Sequence, residues 1–143
     1  MKKLTVKEIE YIAFKLAKEL LSFNEPIPDF STRYPYILEG CLAAPLQTFG
    51  GKSLYSGLTE KAAALFYLMV KNHPFQNGNK RIAMTTLFVF LHKNNKWLRA
   101  DTQELYNFTM WIAQSPPKFK EEAIKATVKF IKGHIVELPR REE

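Results

Sequence analysis

The sequence predicts a single all-α domain, a compact bundle of six to seven helices with a small β-hairpin. Two uncharged stretches, residues 62–70 and 82–91, flank one polar turn and are long enough to form two buried central helices. Neither stretch approaches the roughly 18 to 20 apolar residues of a membrane span. The length of 143 residues suits one domain, so we expect residues 1–143 to fold together without a membrane partner.

Capping and helix-breaking residues mark the first helix. Thr5 with Glu8 three residues on forms a capping box, in which each side chain accepts the other residue's backbone N–H. Apolar residues then recur at three- and four-residue steps, which predicts one buried face. Pro26 and Pro28 lack N–H donors and predict a loop after this helix.

A short helix and a hairpin are predicted in the next part of the chain. Pro35 suits the first turn of the helix and Pro45 closes it. β-prone residues on both sides of Gly50 and Gly51 predict the hairpin, which is the only convincing strand signal in the sequence. Thr59 is expected to cap the long apolar helix that follows.

The last third of the chain is predicted to be helical. The second central helix is expected to end at Asn94, and Asp101 with Glu104 forms another capping box. The final helix ends near Gly133, and we expect residues 137–143 to form a frayed tail.

Composition restricts the compartment and the partners. Cys41 is the only cysteine and lies in a small apolar stretch, so we expect a buried thiol and a cytoplasmic protein. The net charge of +7 permits a polyphosphate, an acidic protein or a nucleic acid as partner. Lysines and arginines are spread along the whole chain without a basic helical stripe, so direct nucleic-acid binding is not expected.

The polar turn, His-Pro-Phe-Gln-Asn-Gly-Asn-Lys-Arg at residues 73–81, is called the central turn here. Histidine is the residue type best suited to accept a hydroxyl proton in a cell, so His73 is the candidate general base. Phe75 is expected to be the apolar pin that holds the turn against the core. Asn77 offers an amide oxygen to Mg²⁺, although Mg²⁺ prefers at least one carboxylate in such sites.

The second half of the central turn suits a phosphate. Gly78 lets the backbone come close to a ligand, and the following N–H groups are expected to point outward from a helix start, where an anion is favoured. Lys80 adds a point charge and Arg81 a planar fork for two phosphate oxygens. Each residue alone also has an ordinary explanation as turn, cap or solvated surface, which for Asn79 is a helix cap. Only their order and spacing favour a phosphate site.

The central turn resembles the signature of the Fic/Doc superfamily, His-x-Phe-x-acidic-Gly-Asn-Gly/Lys-Arg, and specifically its Doc (death on curing) branch, which has Lys in the next-to-last place. The resemblance covers most of residues 33–97, and the predicted hairpin is similar to the family's β-hairpin flap. It implies a Fic/Doc-type bundle that uses ATP and Mg²⁺, with His73 activating a Ser, Thr or Tyr hydroxyl of a target protein. The implied phosphate-binding residues are Gly78, Asn79, Lys80 and Arg81, and the implied target-docking flap contains Thr48, Phe49, Gly50 and Gly51.

Two departures from the AMP-transferring Fic pattern concern the reaction. Those enzymes have glycine where this chain has Lys80, and a second arginine where it has Met84. The resemblance therefore implies transfer of the γ-phosphate, as in Doc-like kinases. AMP transfer on the same fold is the nearest alternative, and a non-catalytic basic binding protein is the other. A separate departure is Asn77, which replaces the acidic magnesium ligand.

The resemblance also has implications for control and partners. Fic proteins often carry an inhibitory helix with the pattern Ser/Thr-x-x-x-Glu-Gly/Asn. The nearest match, from Ser56 to Glu60, opens the first central helix and cannot play that part. A separate antitoxin is therefore implied, as in a toxin-antitoxin pair. The implied target belongs to the translation machinery, with elongation factor Tu as the expected protein.

Overall fold

The computed structural model describes residues 1–20 and 26–139, which form helices with two small antiparallel sheets. The predicted all-α class with a hairpin is confirmed. The helices are α1 (Val6–Glu8), α2 (Phe14–Leu20), α3 (Pro35–Ala43), α4 (Leu58–Lys71), α5 (Asn79–Lys93), α6 (Thr102–Gln114) and α7 (Lys120–His134). The strands are β1 (Thr48–Phe49), β2 (Lys52–Ser53), β3 (Lys96–Leu98) and β4 (Ile135–Glu137).

Helices α4 and α5 form the centre of the bundle. Residues 61–70 of α4 and 81–87 of α5 are all buried. A helix that is apolar on every face must be covered on every face. Accordingly, α4 packs against both α5 and α7, while α2 and α6 cover other sides of α5. The two predicted central helices are confirmed, and their junction lies at one end of the pair.

The N-terminal helix begins with the predicted capping box. Thr5 Oγ1 accepts a hydrogen bond from the Glu8 N–H at 3.2 Å, and the Glu8 carboxylate accepts one from the Thr5 N–H at 3.0 Å. A π-helical turn, Ile9–Ala13, then joins α1 to α2. Thr85 of α5 donates its hydroxyl to the Ala13 carbonyl oxygen at 2.7 Å, which ties this helix to the centre of the bundle.

The predicted hairpin is present between α3 and α4. Thr48 pairs with Ser53 across the two strands. Gly50 and Gly51 both have positive φ, 59° and 79°, which is the turn geometry that suits a two-residue hairpin connection. Helix α4 begins earlier than expected, because Gly57 is its N-cap and Thr59 already lies in the first turn. The predicted cap at Thr59 is therefore wrong.

A second sheet was missed by the sequence analysis. Strands β3 and β4 pair antiparallel, with Trp97 opposite Val136, and the Leu138 N–H donates to the Asn95 carbonyl oxygen at 3.0 Å. The frayed tail predicted from residue 137 is thus wrong for Glu137 and Leu138, and residues 140–143 lie outside the described residues. Each strand has only three residues, which is too short to show an alternating pattern, and the two strands are far apart in sequence.

Other local predictions are confirmed. Asp101 caps α6 by accepting the Glu104 N–H at 3.2 Å, which is one half of the predicted capping box, while Oε1 of Glu104 lies 3.4 Å from Nε2 of His134. Cys41 is fully buried, its thiol donates to the Leu68 carbonyl oxygen at 3.5 Å, and burial raises the pKa of the thiol to about 11. Among the described residues, no helix is both long enough and apolar enough to span a bilayer.

Candidate active site

The central turn connects the end of α4 to the start of α5. Its first residue, His73, and the residue just before α5, Gly78, have left-handed backbone, with φ 50° and 72°. A left-handed conformation costs a residue with a Cβ roughly 1 to 3 kcal/mol, and such residues concentrate at functional sites. The imidazole of His73 is exposed to solvent. The turn therefore presents its candidate base outward on a constrained backbone.

Phe75 anchors the turn to the core. Its side chain is 1% exposed, and its ring centroid lies 5.4 Å from that of Phe14 and 6.0 Å from that of Phe30. Full burial of a phenylalanine side chain contributes about 1.5 to 3 kcal/mol. The ring thus holds the backbone between His73 and Gly78 against both the N-terminal helix and the segment that follows it.

Asn79 is buried beneath the turn. Its Oδ1 accepts the Phe75 N–H at 3.0 Å, and its Nδ2 donates to the Phe75 carbonyl oxygen at 2.9 Å. The same Nδ2 lies 3.4 Å from Nδ1 of His73. The alternative explanation of Asn79 as a helix cap is wrong, because the N-cap is Gly78 and Asn79 is the first residue of α5.

A segment that begins in the predicted loop at Pro26 and Pro28 runs along the central turn. We call residues 26–34 the strap. The Tyr34 N–H donates to the Pro74 carbonyl oxygen at 2.9 Å. At the other end, a Cβ on Gly78 would lie 2.7 Å from Cδ1 of Ile27. No local sequence pattern predicts these contacts, because the strap and the central turn are far apart in sequence.

The start of α5 is the candidate phosphate site. The first bond within the helix joins the Ile82 N–H to the Gly78 carbonyl oxygen at 2.9 Å, so the preceding N–H groups lie at the positive end of the helix dipole. Lys80 is half-buried in this first turn. The guanidinium of Arg81 is buried and donates from Nη2 to the Ala17 carbonyl oxygen near the end of α2.

Comparison with known proteins agrees with this arrangement. A model of the Fic/DOC family matches residues 3–91, which is more than half of the chain and includes the whole central turn. The chain belongs to the Fic/DOC family. A protein named Toxin Doc from Mycolicibacterium smegmatis is 40% identical over 65 residues, which cover 46% of this chain and 50% of that protein. No solved structure matches the chain significantly.

The hairpin of this Fic/DOC chain is the candidate flap. Thr48, Phe49, Gly50 and Gly51 are all exposed, and the Phe49 side chain is 81% exposed. Its connection to α4 is held by Lys61, a buried lysine whose Nζ donates to the Tyr55 carbonyl oxygen. No sequence motif indicated Lys61, whose only signal was a charge directly before the uncharged residues 62–70.

Asn77, the candidate magnesium ligand of the Fic/DOC turn, is exposed. Its Oδ1 accepts the Gly78 N–H at 2.8 Å. An amide oxygen has two lone pairs, so one remains for a cation held mainly by ATP phosphates. Across residues 1–20 and 26–139, no three His, Cys, Asp or Glu side chains lie close enough together to hold a metal ion.

Two further positions bear on the Fic/DOC reaction. Met84 is fully buried in α5. By the sequence resemblance, it occupies the position of the second arginine of AMP-transferring Fic enzymes. The segment from Ser56 to Glu60 leads into α4, whose first residue is Leu58, and is part of the central bundle. It therefore does not form a separate inhibitory helix.

Proposed function

We propose that this Fic/DOC protein transfers the γ-phosphate of ATP to a Ser or Thr hydroxyl of a translation protein and so arrests growth as a toxin. The observation that carries the proposal is Lys80 in the first turn of α5, combined with an apolar Met84 one turn later. A cation here occupies space that glycine would leave open for the β-phosphate side of ATP. The nucleotide then binds in the reversed sense, with its γ-phosphate toward His73.

His73 acts as the general base in this mechanism. It accepts the proton of the target hydroxyl while the hydroxyl oxygen forms a bond to the γ-phosphorus. The bond from that phosphorus to the bridging oxygen of the β-phosphate breaks, and ADP leaves with the electron pair. The exposed imidazole suits this role, because the hydroxyl belongs to a separate protein.

The start of α5 balances the charge of the phosphates. The N–H groups of its first turn and the Lys80 ammonium favour an anion at this end of the helix. Arg81 contributes its backbone N–H and its charge, while its guanidinium holds the Ala17 carbonyl oxygen. Mg²⁺ would neutralise phosphate charge when it is bound with ATP, and Asn77 is the residue here that would offer it an oxygen.

The flap is proposed to bind the target segment. Both of its strands have two residues and are exposed, so an extended peptide can add to an open edge by backbone hydrogen bonds. Phe49 offers an exposed ring for a side chain of the target. Backbone pairing with the flap would align the target segment without a deep peptide groove.

Two protein partners are proposed, and the family and the relative named Toxin Doc support an antitoxin as one of them. The target is proposed to be elongation factor Tu, which the sequence resemblance implies. The second partner is a separate antitoxin protein, because the segment resembling an inhibitory motif is built into α4. Its binding close to the central turn would prevent ATP or the target from reaching His73.

The reaction is tested with a translation extract and ATP labelled on either the α- or the γ-phosphate. Label on a protein of the extract from γ-labelled ATP alone is expected. Label from the α-position alone would establish AMP transfer instead. No label from either would favour a non-catalytic binding protein. His73→Ala should abolish the labelling, whereas His92→Ala, an exposed histidine at the other end of α5, should retain it.

The same variants test the biological role in growing cells. Expression of the native chain is expected to stop growth, and His73→Ala, shown to be folded by circular dichroism, should not. Growth arrest by a folded His73→Ala protein would contradict an enzymatic toxin. Co-expression of the protein encoded by an adjacent reading frame should restore growth if that protein is the antitoxin.

A further inference from the structure

We infer that the side chain of Asn79 is a positioning residue for His73 rather than a ligand of the nucleotide phosphates. The inference rests on the proposed function for its kinetic consequences, but its structural part stands without it. Asn79 is 7% exposed, and its amide is directed at the backbone of the central turn. Its contribution to an anion would come through the backbone N–H at the start of α5, which every substitution except proline retains.

The orientation of the Asn79 amide is determined by its partners. The Phe75 N–H is a donor and must face the amide oxygen, at 3.0 Å. The Phe75 carbonyl oxygen is an acceptor and must face the amide nitrogen, at 2.9 Å. A flipped amide would place donor against donor and acceptor against acceptor. The side chain therefore clamps both polar groups of Phe75, two residues after the base.

The second hydrogen of the same amide nitrogen is directed to His73. Nδ2 of Asn79 and Nδ1 of His73 are 3.4 Å apart. An amide nitrogen can only donate, so Nδ1 of the resting imidazole is the acceptor and the neutral ring carries its hydrogen on Nε2. Nε2 of this tautomer already carries a hydrogen, so the proton of the target hydroxyl goes to Nδ1, where the hydroxyl replaces the Asn79 amide. The 3.4 Å contact is longer than a typical hydrogen bond, so the ring can exchange it when the target arrives.

The neighbouring contacts explain why the base needs this support. His73 has a φ of 50°, a conformation that the local chain does not favour. The backbone after it is held at each step, with the Pro74 carbonyl oxygen accepting the Tyr34 N–H and Phe75 clamped by Asn79. Release of the clamp would let the backbone relax and move the imidazole. A displacement of about 1 Å can cost a rate of the order of 100-fold.

The kinetic test compares Asn79→Ala with the native chain. If Asn79 positions His73, the rate of transfer at saturating ATP falls by about 10- to 100-fold while the Kd for ATP stays unchanged. If the side chain binds phosphate, the Kd for ATP rises, and that result would overturn the inference. Asn107→Ala, an exposed asparagine on α6, is the matched control and should alter neither quantity.

A spectroscopic test separates the inference from the proposed reaction. In ¹⁵N NMR spectra of the neutral side chain of His73, the native protein is expected to show an unprotonated Nδ1 and a protonated Nε2. Asn79→Ala should lose this single preferred tautomer. A native His73 protonated at Nδ1 would show that the contact is absent and would overturn the inference even if the kinase activity is real. The expected tautomer without any transfer activity would instead reject only the proposed function.

Hydrogen exchange provides the control for folding. Asn79→Ala removes the acceptor for the Phe75 N–H together with the donors to the Phe75 carbonyl oxygen and to His73. The Phe75 amide should therefore exchange faster in Asn79→Ala than in the native chain, with the amides of α4 unchanged. Slow exchange of the Phe75 amide in a folded Asn79→Ala protein would contradict the clamp.

Discussion

Gly78 lies directly against Ile27, with no space for a side chain between the central turn and the strap. A Cβ at position 78 would be 2.7 Å from Cδ1 of Ile27 and 2.9 Å from the Pro26 carbonyl oxygen. The backbone of Gly78 is also left-handed, with φ 72°. Gly78 thus meets two independent requirements, one of conformation and one of space.

Gly78→Ala should therefore destabilise the protein by about 2 to 4 kcal/mol, because the left-handed backbone and the overpacked strap each contribute roughly 1 to 2 kcal/mol. Urea unfolding measures the change. Gly40→Ala is the matched control, since α3 leaves nothing within 4 Å of an added Cβ. It should stabilise the helix by about 0.5 to 1 kcal/mol. Equal effects of the two substitutions would contradict this account of Gly78.

Lys61→Met should loosen the candidate flap without altering nucleotide binding. The substitution keeps the apolar stem but removes the donor to the Tyr55 carbonyl oxygen, which connects the flap to α4. We expect the KM for the target protein to rise several-fold, with the KM for ATP unchanged. Lys129→Met, an exposed lysine on α7, is the control. A parallel rise of both KM values would show a general loss of structure instead.

The Glu8 carboxylate should stabilise the fold in a pH-dependent way. Burial acts to raise its pKa, but hydrogen bonds from Lys93 and Thr5 together lower it below the ordinary value of 4.5. A carboxyl whose folded pKa is lowered contributes stability that is present above its unfolded pKa and is lost as the pH falls through the folded value. The contact with Lys93 Nζ at 2.6 Å is partly exposed, so its contribution is modest.

Glu8→Gln tests this because it keeps an oxygen for the Thr5 N–H and removes only the charge. The free energy of unfolding should fall by about 0.5 to 1 kcal/mol at pH 7. It should fall by less at an acidic pH well below 4.5, where the native carboxyl takes up its proton. Glu10→Gln on the same N-terminal helix serves as the control. A difference that is equally large at both pH values would contradict a role for the charge.

Cys41 should be unreactive in the folded protein. Its thiol is fully buried, and burial raises its pKa to about 11, so little thiolate exists at neutral pH. Alkylation by iodoacetamide should proceed only as fast as the protein opens. Ser53→Cys in the exposed flap, made together with Cys41→Ala, should react rapidly. Similar rates for both cysteines would contradict the burial of Cys41.

Short-range rules predicted many elements correctly. The capping box of Thr5 and Glu8 and the hairpin turn at Gly50 and Gly51 depend on residues within a few positions of one another. The family could also be recognised from the sequence, because the nine residues of the central turn are contiguous. Their order is the one that a general base beside an anion site requires.

Such short-range rules could not predict the second sheet. Lys96 and Glu137 lie 41 positions apart, yet they pair in β3 and β4 and form a salt bridge at 2.5 Å. Three-residue strands carry too little pattern to be recognised alone. The predicted frayed tail was wrong at Glu137 and Leu138 for the same reason. These residues are ordered by pairing with residues 95 and 96, which are distant in sequence.

The roles within the central turn divide in the same way. Residue order alone identified His73 as the candidate base and the start of α5 as the candidate phosphate site, because both depend on side-chain type and helix polarity. Only the tertiary structure placed the Asn79 amide on the backbone of Phe75, the Arg81 guanidinium on Ala17 and the strap on Gly78. These contacts join segments through space, and no sequence spacing encodes a distance that packing of the helices sets.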